Sequence, residues 1–311
     1  MADVRTTAFT RIIKEKLFSG SEFLKLAVSH DGFVNDKTVE IPLAGALPDV
    51  ARDRGSFPIP VIDRTDDKQS YNLIEYSLGT IRVSDKNKRE LSYDQAASIL
   101  RQHVNKLNDE MGLDGAYNLG GADLVTAGGQ LILTTGTATA GIAPPSGTGN
   151  RKALTLADMA NSAKKLDKDK VSNDGRYMLI PSDIYWDFVE KNKAQLLNLD
   201  YNKNLSNGDI ANGVVSKVYG FKIIQRAHTL VYADAATPTK KAVGAAGATT
   251  DHWACVGWQM DEVSRALGTI KVFSEMGSPT YQADLYSALV RFNNTPMRKD
   301  GTGIVTIVQD S

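Results

Sequence analysis

Cysteine is nearly absent: Cys255 is the only one in the chain. A single thiol excludes an intrachain disulfide and any cysteine-clustered zinc site. Its apolar setting, "HWACVGW", marks it as a small buried hydrophobe rather than a reactive thiol. Histidine is scarce as well. His30, His103, His228 and His252 fall in four separate segments, and His103 has no second His or Cys at ligand spacing. A Ser-His-Asp set stays open, because such triads ignore sequence order, but no feature favours one. Neither charge is in excess: 36 basic and 36 acidic residues give a formal net charge of zero. A dedicated nucleic-acid binder draws its affinity from basic residues that displace counterions, so that class is excluded, while weak or local contact with a polyanion is not. A neutral surface also leaves association between copies unopposed. No apolar run approaches the ~20 residues that span a membrane. The first residues lack the apolar segment and cleavage site of a signal peptide, so a cytoplasmic site of synthesis and use is expected. No G-x-S-x-G or H-E-x-x-H occurs. "PPSGTGNRKAL" has the wrong spacing for a phosphate loop and lacks its final hydroxyl residue. No catalytic, cofactor or metal residue is assigned, and the chain is not expected to be an enzyme.

What is present is ordinary globular material, long enough at 311 residues for one large core or two modest domains. Phe9, Ile12, Ile13 and Leu17 trace a weak amphipathic helix. It suits a short helix on an N-terminal arm, or equally a surface helix packed on its own domain. From Thr38 the text turns to strand: "TVEIPL", then "SFPIPVIDR", a polar tip "TDDKQ", and "SYNLIEYSLGTIRVSD". Phe57, Ile59 and Val61 alternate as a half-buried strand does, while Pro58 and Pro60 remove two donors from one edge. Only the other edge can form a full ladder, which suits a two-stranded arm. Nine or so extended residues reach roughly 30 Å, against a radius of gyration of ~20 Å for a compact chain of this length. An isolated hairpin is marginal in water, so one that projects needs a neighbour to rest on.

The clearest helix follows. Ser92 and Gln95 have the spacing of a capping box, Ala96, Leu100, Val104, Leu107 and Met111 form its stripe, and Gly112 is expected to stop it. Residues 115–150 read as Gly/Ala/Thr-rich loop with one short strand, "GQLILTT". Thr155 is expected to cap a second helix. "GRYMLIPSDIYWDF" then reads as strand, proline break and a helix capped by Ser182. Asp183 suits that helix's first turn, where the macrodipole favours negative charge. Asp187 stands four before Lys191, the favourable order for an ion pair. Both acids are thus explained without a catalytic pair, and the rings Tyr177, Tyr185, Trp186 and Phe188 divide between core and partly wet subunit contact. Strands are expected on both sides of Gly220, a small polar loop "ADAATPTKKAVGAAGATTD" is expected to be mobile, and "HWACVGW", "GTIKVFSEM", "QADLYSALVRFNN" and "GTGIVTIVQ" end the chain inside a sheet.

In this order the phrases become specific. "DDKQSYNLIEYSLGTIRVSDKNKRELSYDQAASILRQHVNKLNDEM" resembles the extended loop and spine helix of tailed-phage major capsid proteins of the HK97 type. "NDGRYMLIPSDIYWDFV" resembles the opening of their axial domain, "VYGFKIIQ" and "CVGW" resemble strands that follow it, and "YQADLYSALVRFNNTPMRKDGTGIVTI" resembles the closing strands of their peripheral domain. The likeness runs from about Thr38 to the end. It implies an α+β fold with an N-terminal arm (1–40), an extended β-hairpin loop (41–88), a peripheral domain with a long spine helix (89–153 and 266–311) and an axial domain (154–265). It implies self-assembly into hexamers and pentamers of an icosahedral shell around a dsDNA genome touched weakly and non-specifically. Portal and scaffolding proteins would be assembly partners, no membrane would be involved, and the location would be the virion, assembled in the host cytoplasm. The candidate inter-subunit contacts are Phe57, Ile59, Val61, Lys68, Tyr71, Tyr76, Tyr185 and Trp186. Some relatives join subunits by a lysine–asparagine bond, for which Lys68, Asn293 and Asn294 are the residues to consider. That chemistry needs a deprotonated amine, a nearby acid and a dry site, and no bond is expected here. An encapsulin-like cellular compartment and a soluble oligomeric enzyme are the alternatives.

Overall fold

The computed structural model describes residues 13, 17–18, 21–43, 52–53, 55, 66–84, 95–201 and 217–311. In chain order the strands are β1 (Val28–Ser29), β2 (Val34–Asn35), β3 (Thr38–Leu43), β4 (Asp67–Asn72), β5 (Ile74–Ser77) and β6 (Ile81–Ser84). Helix α1 (Gln95–Leu119) leads to β7 (Leu131–Leu133), β8 (Ala138–Thr139) and β9 (Arg151–Lys152). Helix α2 (Leu156–Lys168), β10 (Arg176–Pro181) and α3 (Ser182–Tyr201) come next, then β11 (Lys217–Val218), β12 (Phe221–Arg226), β13 (Leu230–Ala233) and β14 (Thr239–Lys240). The chain closes with β15 (His252–Gln259), β16 (Val263–Leu267), β17 (Lys271–Ser278), β18 (Ala283–Pro296) and β19 (Ile304–Val308).

Two sheets carry the molecule. In the first, β18 is the axis: β6 and β17 both pair with Ala283–Tyr286, so they take opposite edges, and β5 faces β16 across it in the same way. The second sheet runs β11-β12-β10-β15-β13-β14, with β19 on β15 and β7 on β19. Every residue of β15 is buried, because each face of the strand meets a different core. Ala254, Val256 and Trp258 turn toward α1, whose Leu107 and Met111 also pack against Val290 and Phe292 of the first sheet. Trp253 and Cys255 turn the other way, toward Met159 and Leu166 of α2 and Ile184 and Phe188 of α3. A strand buried on both faces reads as a continuous apolar run, and "WACVGW" is one. β19 belongs to this second sheet although it follows β18, so the sheets do not divide at residues 265 and 266.

Several expectations need correcting. Gly112 does not end the helix; α1 continues to Leu119. A Cβ at Gly112 would lie 2.5 Å from Ser21 Oγ, and one at Gly115 would lie 2.4 Å from Leu24 Cδ2. These glycines let the segment from Ser21 to Leu24 lie against the helix. The polar "TDDKQ" is not a tip: β4 pairs antiparallel with β3 from Leu43↔Asp67 to Thr38↔Asn72. Gln69 and Tyr71 alternate with exposed residues opposite Ile41 and Val39, so β4 has the period of a strand despite its polarity. The loop before β15 is tied down. Asp251 accepts from Lys241 Nζ at 2.9 Å, from the Ala248 amide at 2.8 Å and from Ser146 Oγ at 3.0 Å. Its own carbonyl accepts from buried Arg151. Thr155 caps α2 through a reciprocal box with Asp158, as expected. Pro181 does not break the chain ahead of its helix but is the last residue of β10, and α3 starts at once with Ser182. Ser92, Phe9 and Ile12 lie outside the described residues.

Candidate assembly surface

The strand β10 delivers α3 onto the second sheet, and this fixes the fate of each ring in "GRYMLIPSDIYWDF". Ile184, Tyr185, Phe188 and Val189 are buried on the core side, with Tyr185 4 % exposed. Tyr177 stacks on Trp258 at 5.9 Å in the other core. Trp186 is different: it is 53 % exposed and meets Tyr185 edge-on at 5.5 Å. Asp187 pairs with Lys191 at 3.0 Å and Asp183 faces solvent.

Of the remaining candidates, Lys68, Tyr71 and Tyr76 stand where the three-stranded sheet β2-β3-β4 meets the first sheet. The chain passes from one to the other at Leu73, which is buried with Val39, Ile41 and Ala266. Tyr71 on β4 reaches Ser264 Oγ at 2.8 Å, and Ser264 in turn meets His30 Nδ1 at 2.9 Å. Burial pushes the Tyr71 phenol up to about 12. Tyr76 on β5 donates to Asp114 Oδ2 of α1 at 2.7 Å, and burial first, then that carboxylate, drives its phenol upward. Arg291 of β18 bridges Asp36 at 2.8 Å and Glu75 at 2.9 Å. Lys68 is exposed and pairs with Glu40 at 2.8 Å. Asn293 accepts from Asn118 Nδ2 and from the Asn294 amide and donates to the Asn72 carbonyl. Asn294 donates to the Gly115 carbonyl. Both asparagines therefore hold β18 to α1 and β4. Phe57, Ile59 and Val61 lie outside the described residues.

Exposed rings also stand where the sequence reading did not place them: Phe33, Tyr219, Phe273 and Tyr281, each more than half exposed. For Phe273 a signal was available, since its strand alternates Lys271, Phe273 and Glu275 on one face and a ring sharing a face with charges is solvent-side. Cys255 is buried, and burial pushes its thiol up, away from nucleophilic use. Among the described residues no group of three His, Cys, Asp or Glu could hold a metal ion, and no helix is long and apolar enough to cross a membrane.

The geometry defines a class: a mixed α+β fold whose two larger sheets share a core with the helix α1. No protein-family model and no curated protein sequence matches the chain. Solved structures do. Over 91% of this chain and 86% of the other, it superimposes on a chain of the capsid of Cyanophage P-SCSP1u with a TM-score of 0.64 and 17% identity. A chain from Mycobacterium phage Che8 matches with a TM-score of 0.59 and 15% identity, covering 92% of this chain and 90% of that one. The capsid of Ralstonia phage GP4 gives 0.60 at 9% identity, with 92% and 87% covered. The fold of this chain is that of phage capsid structures.

Proposed function

We propose that this chain is the major capsid protein of a tailed phage, of the HK97 type, assembling into hexamers and pentamers of an icosahedral head that encloses dsDNA. One observation carries the reading: the likeness to capsid chains extends over about nine-tenths of both partners. In this reading the first sheet with α1 along it is the peripheral unit. The second sheet with α2 and α3, including β19, is the axial unit, and β2-β3-β4 is the base of the extended loop. Trp186 is the ring of the axial unit offered to a neighbouring subunit, since Tyr185 is covered by its own chain. Lys68 and the alternating Phe57, Ile59 and Val61 are the loop's contacts. Tyr71 and Tyr76 brace the loop base rather than reach outward, because their hydroxyls are bonded to Ser264 and Asp114. Portal and scaffolding proteins act as partners in assembly, which takes place in the host cytoplasm. DNA is held with little direct attraction, in keeping with the zero net charge.

Purified particles test this through their contents. Nuclease-protected double-stranded DNA is expected; a stoichiometric cargo protein and no DNA would instead make the shell a cellular compartment. Boiling in denaturant should yield the single chain, and a ladder of covalent oligomers would show that Lys68 or another lysine is crosslinked.

A further inference from the structure

Beside α2 lies an open cavity of about 390 Å³, away from the surfaces named above. Its walls are apolar, with Leu124, Val125 and Leu133 on one side, and its rim is the helix face bearing Lys164, Lys165 and Lys168. Lys165 is held by Asp169, the residue that follows α2 as its C-cap. Lys164 and Lys168 are exposed, one helical turn apart, and make no ion pair with any described residue. The strand at the cavity, β7, pairs in parallel with β19 on one edge, and on the other Leu131 forms an isolated bridge with Leu124. The Gln130 carbonyl accepts from Thr306 and the Thr134 amide donates to Val308, so the even-numbered positions bond to β19 and the odd-numbered ones face away. Of those, the Leu131 amide donates to Asp123 and the Thr135 amide to Asp158. Leu133, between them, turns its N–H and C=O to the open edge beside the cavity.

We propose that this groove docks a short extended peptide segment of a separate protein, with an apolar side chain and a carboxylate two residues to either side of it, on the same face of the extended chain. Each part of the site asks for one part of that ligand. The cavity takes an apolar side chain, the Leu133 peptide group takes a main-chain pair as in strand addition, and Lys164 and Lys168 take acids on either side of the anchor. A nucleic acid fits poorly. Its phosphates would be served by only two free ammonium groups, and it has no side chain to fill an apolar cavity. The inference does not rest on the capsid reading: a chain that forms shells without binding such a peptide, or binds it without forming shells, separates the two.

The test is fluorescence anisotropy of the full chain with the labelled pentapeptide Glu-Ser-Leu-Ser-Glu, whose Leu and two Glu share one face when extended. Saturable binding below millimolar concentration is expected, weakened at least tenfold by K164E/K168E and, independently of any variant, at least tenfold when Gln replaces Glu in the peptide. Circular dichroism should show K164E/K168E folded, as expected for two exposed side chains. A 20-base-pair duplex should not compete. Absence of saturable binding, binding indifferent to both changes, or displacement by the duplex would overturn the proposal.

Discussion

Tyr185 and Trp186 are adjacent in sequence and opposite in role. Removing the buried Tyr185 ring leaves a cavity against Ile184 and Phe188, and Tyr185→Ala should cost about 3 kcal/mol or more in urea unfolding. Trp186→Ala should lie within about 0.5 kcal/mol of the parent in the same titration and show its effect only when sedimentation velocity compares assembly. Equal losses of folding stability in both variants would place Trp186 in the core. A second residue-scale prediction concerns pH. Burial acts to raise the Asp251 carboxyl, but the Ala248 amide, the Lys241 ammonium and the Ser146 hydroxyl outweigh it and hold the group below the usual carboxylate range. A depressed acid stabilises the fold above its unfolded value, and that contribution is lost as pH falls through the folded one. Burial, and then Arg151, lowers the His252 imidazole against the opposing pull of Asp234. The unfolded chain therefore takes up this proton first, and stability falls as pH drops below ~6.5. Thermal melts should show Tm declining in two stages, the first below neutrality and the second below about pH 4. Substituting His252 by Gln should reduce only the first, leaving the share of His30, whose imidazole burial also lowers. A Tm flat from pH 7 to 5 in the parent would remove His252 from the account.

At the scale of elements, α1 shows local preference giving way to packing. Ala normally stabilises a helix interior over Gly by about 1 kcal/mol. At Gly115 the added methyl would press on buried Leu24, and overpacking of this kind costs roughly 1–3 kcal/mol. Gly115→Ala is expected to lower the urea midpoint, and a raised midpoint would show that Leu24 is free to move. The same competition explains what could be read in advance. The helix stripe Val104, Leu107 and Met111, the Thr155 cap, the Asp187–Lys191 pair and a strand ahead of α3 follow from periodicity and spacing, which are local. The extent of α1 was not legible, because only the approach of Ser21 and Leu24, distant in sequence, explains glycines inside a helix. The β3–β4 pairing was hidden by polarity, since β4 is exposed on most of its length and its partner lies beyond residues 44–66. The order of the loop before β15 depends on Asp251, whose partners Ser146 and Arg151 come from another part of the chain.

For the whole molecule, the mixed α+β fold shared with phage capsid structures was legible through the order of phrases, each weak alone. The site was less so. The sequence separates apolar from polar positions but cannot show which rings an adjacent element will cover, so Tyr185 and Trp186 look alike in it, whereas Phe273 shares a face with Lys271 and Glu275 that alternation marks as solvent-side. The neutral composition and dispersed exposed rings suit a protein whose surface is used many times over by copies of itself. Electron microscopy of the expressed chain tests this most directly. The account predicts closed icosahedral shells, or ring-shaped capsomers of five and six subunits that close into them with a scaffolding partner. A small, monodisperse oligomer with no capacity to assemble under either condition would contradict it.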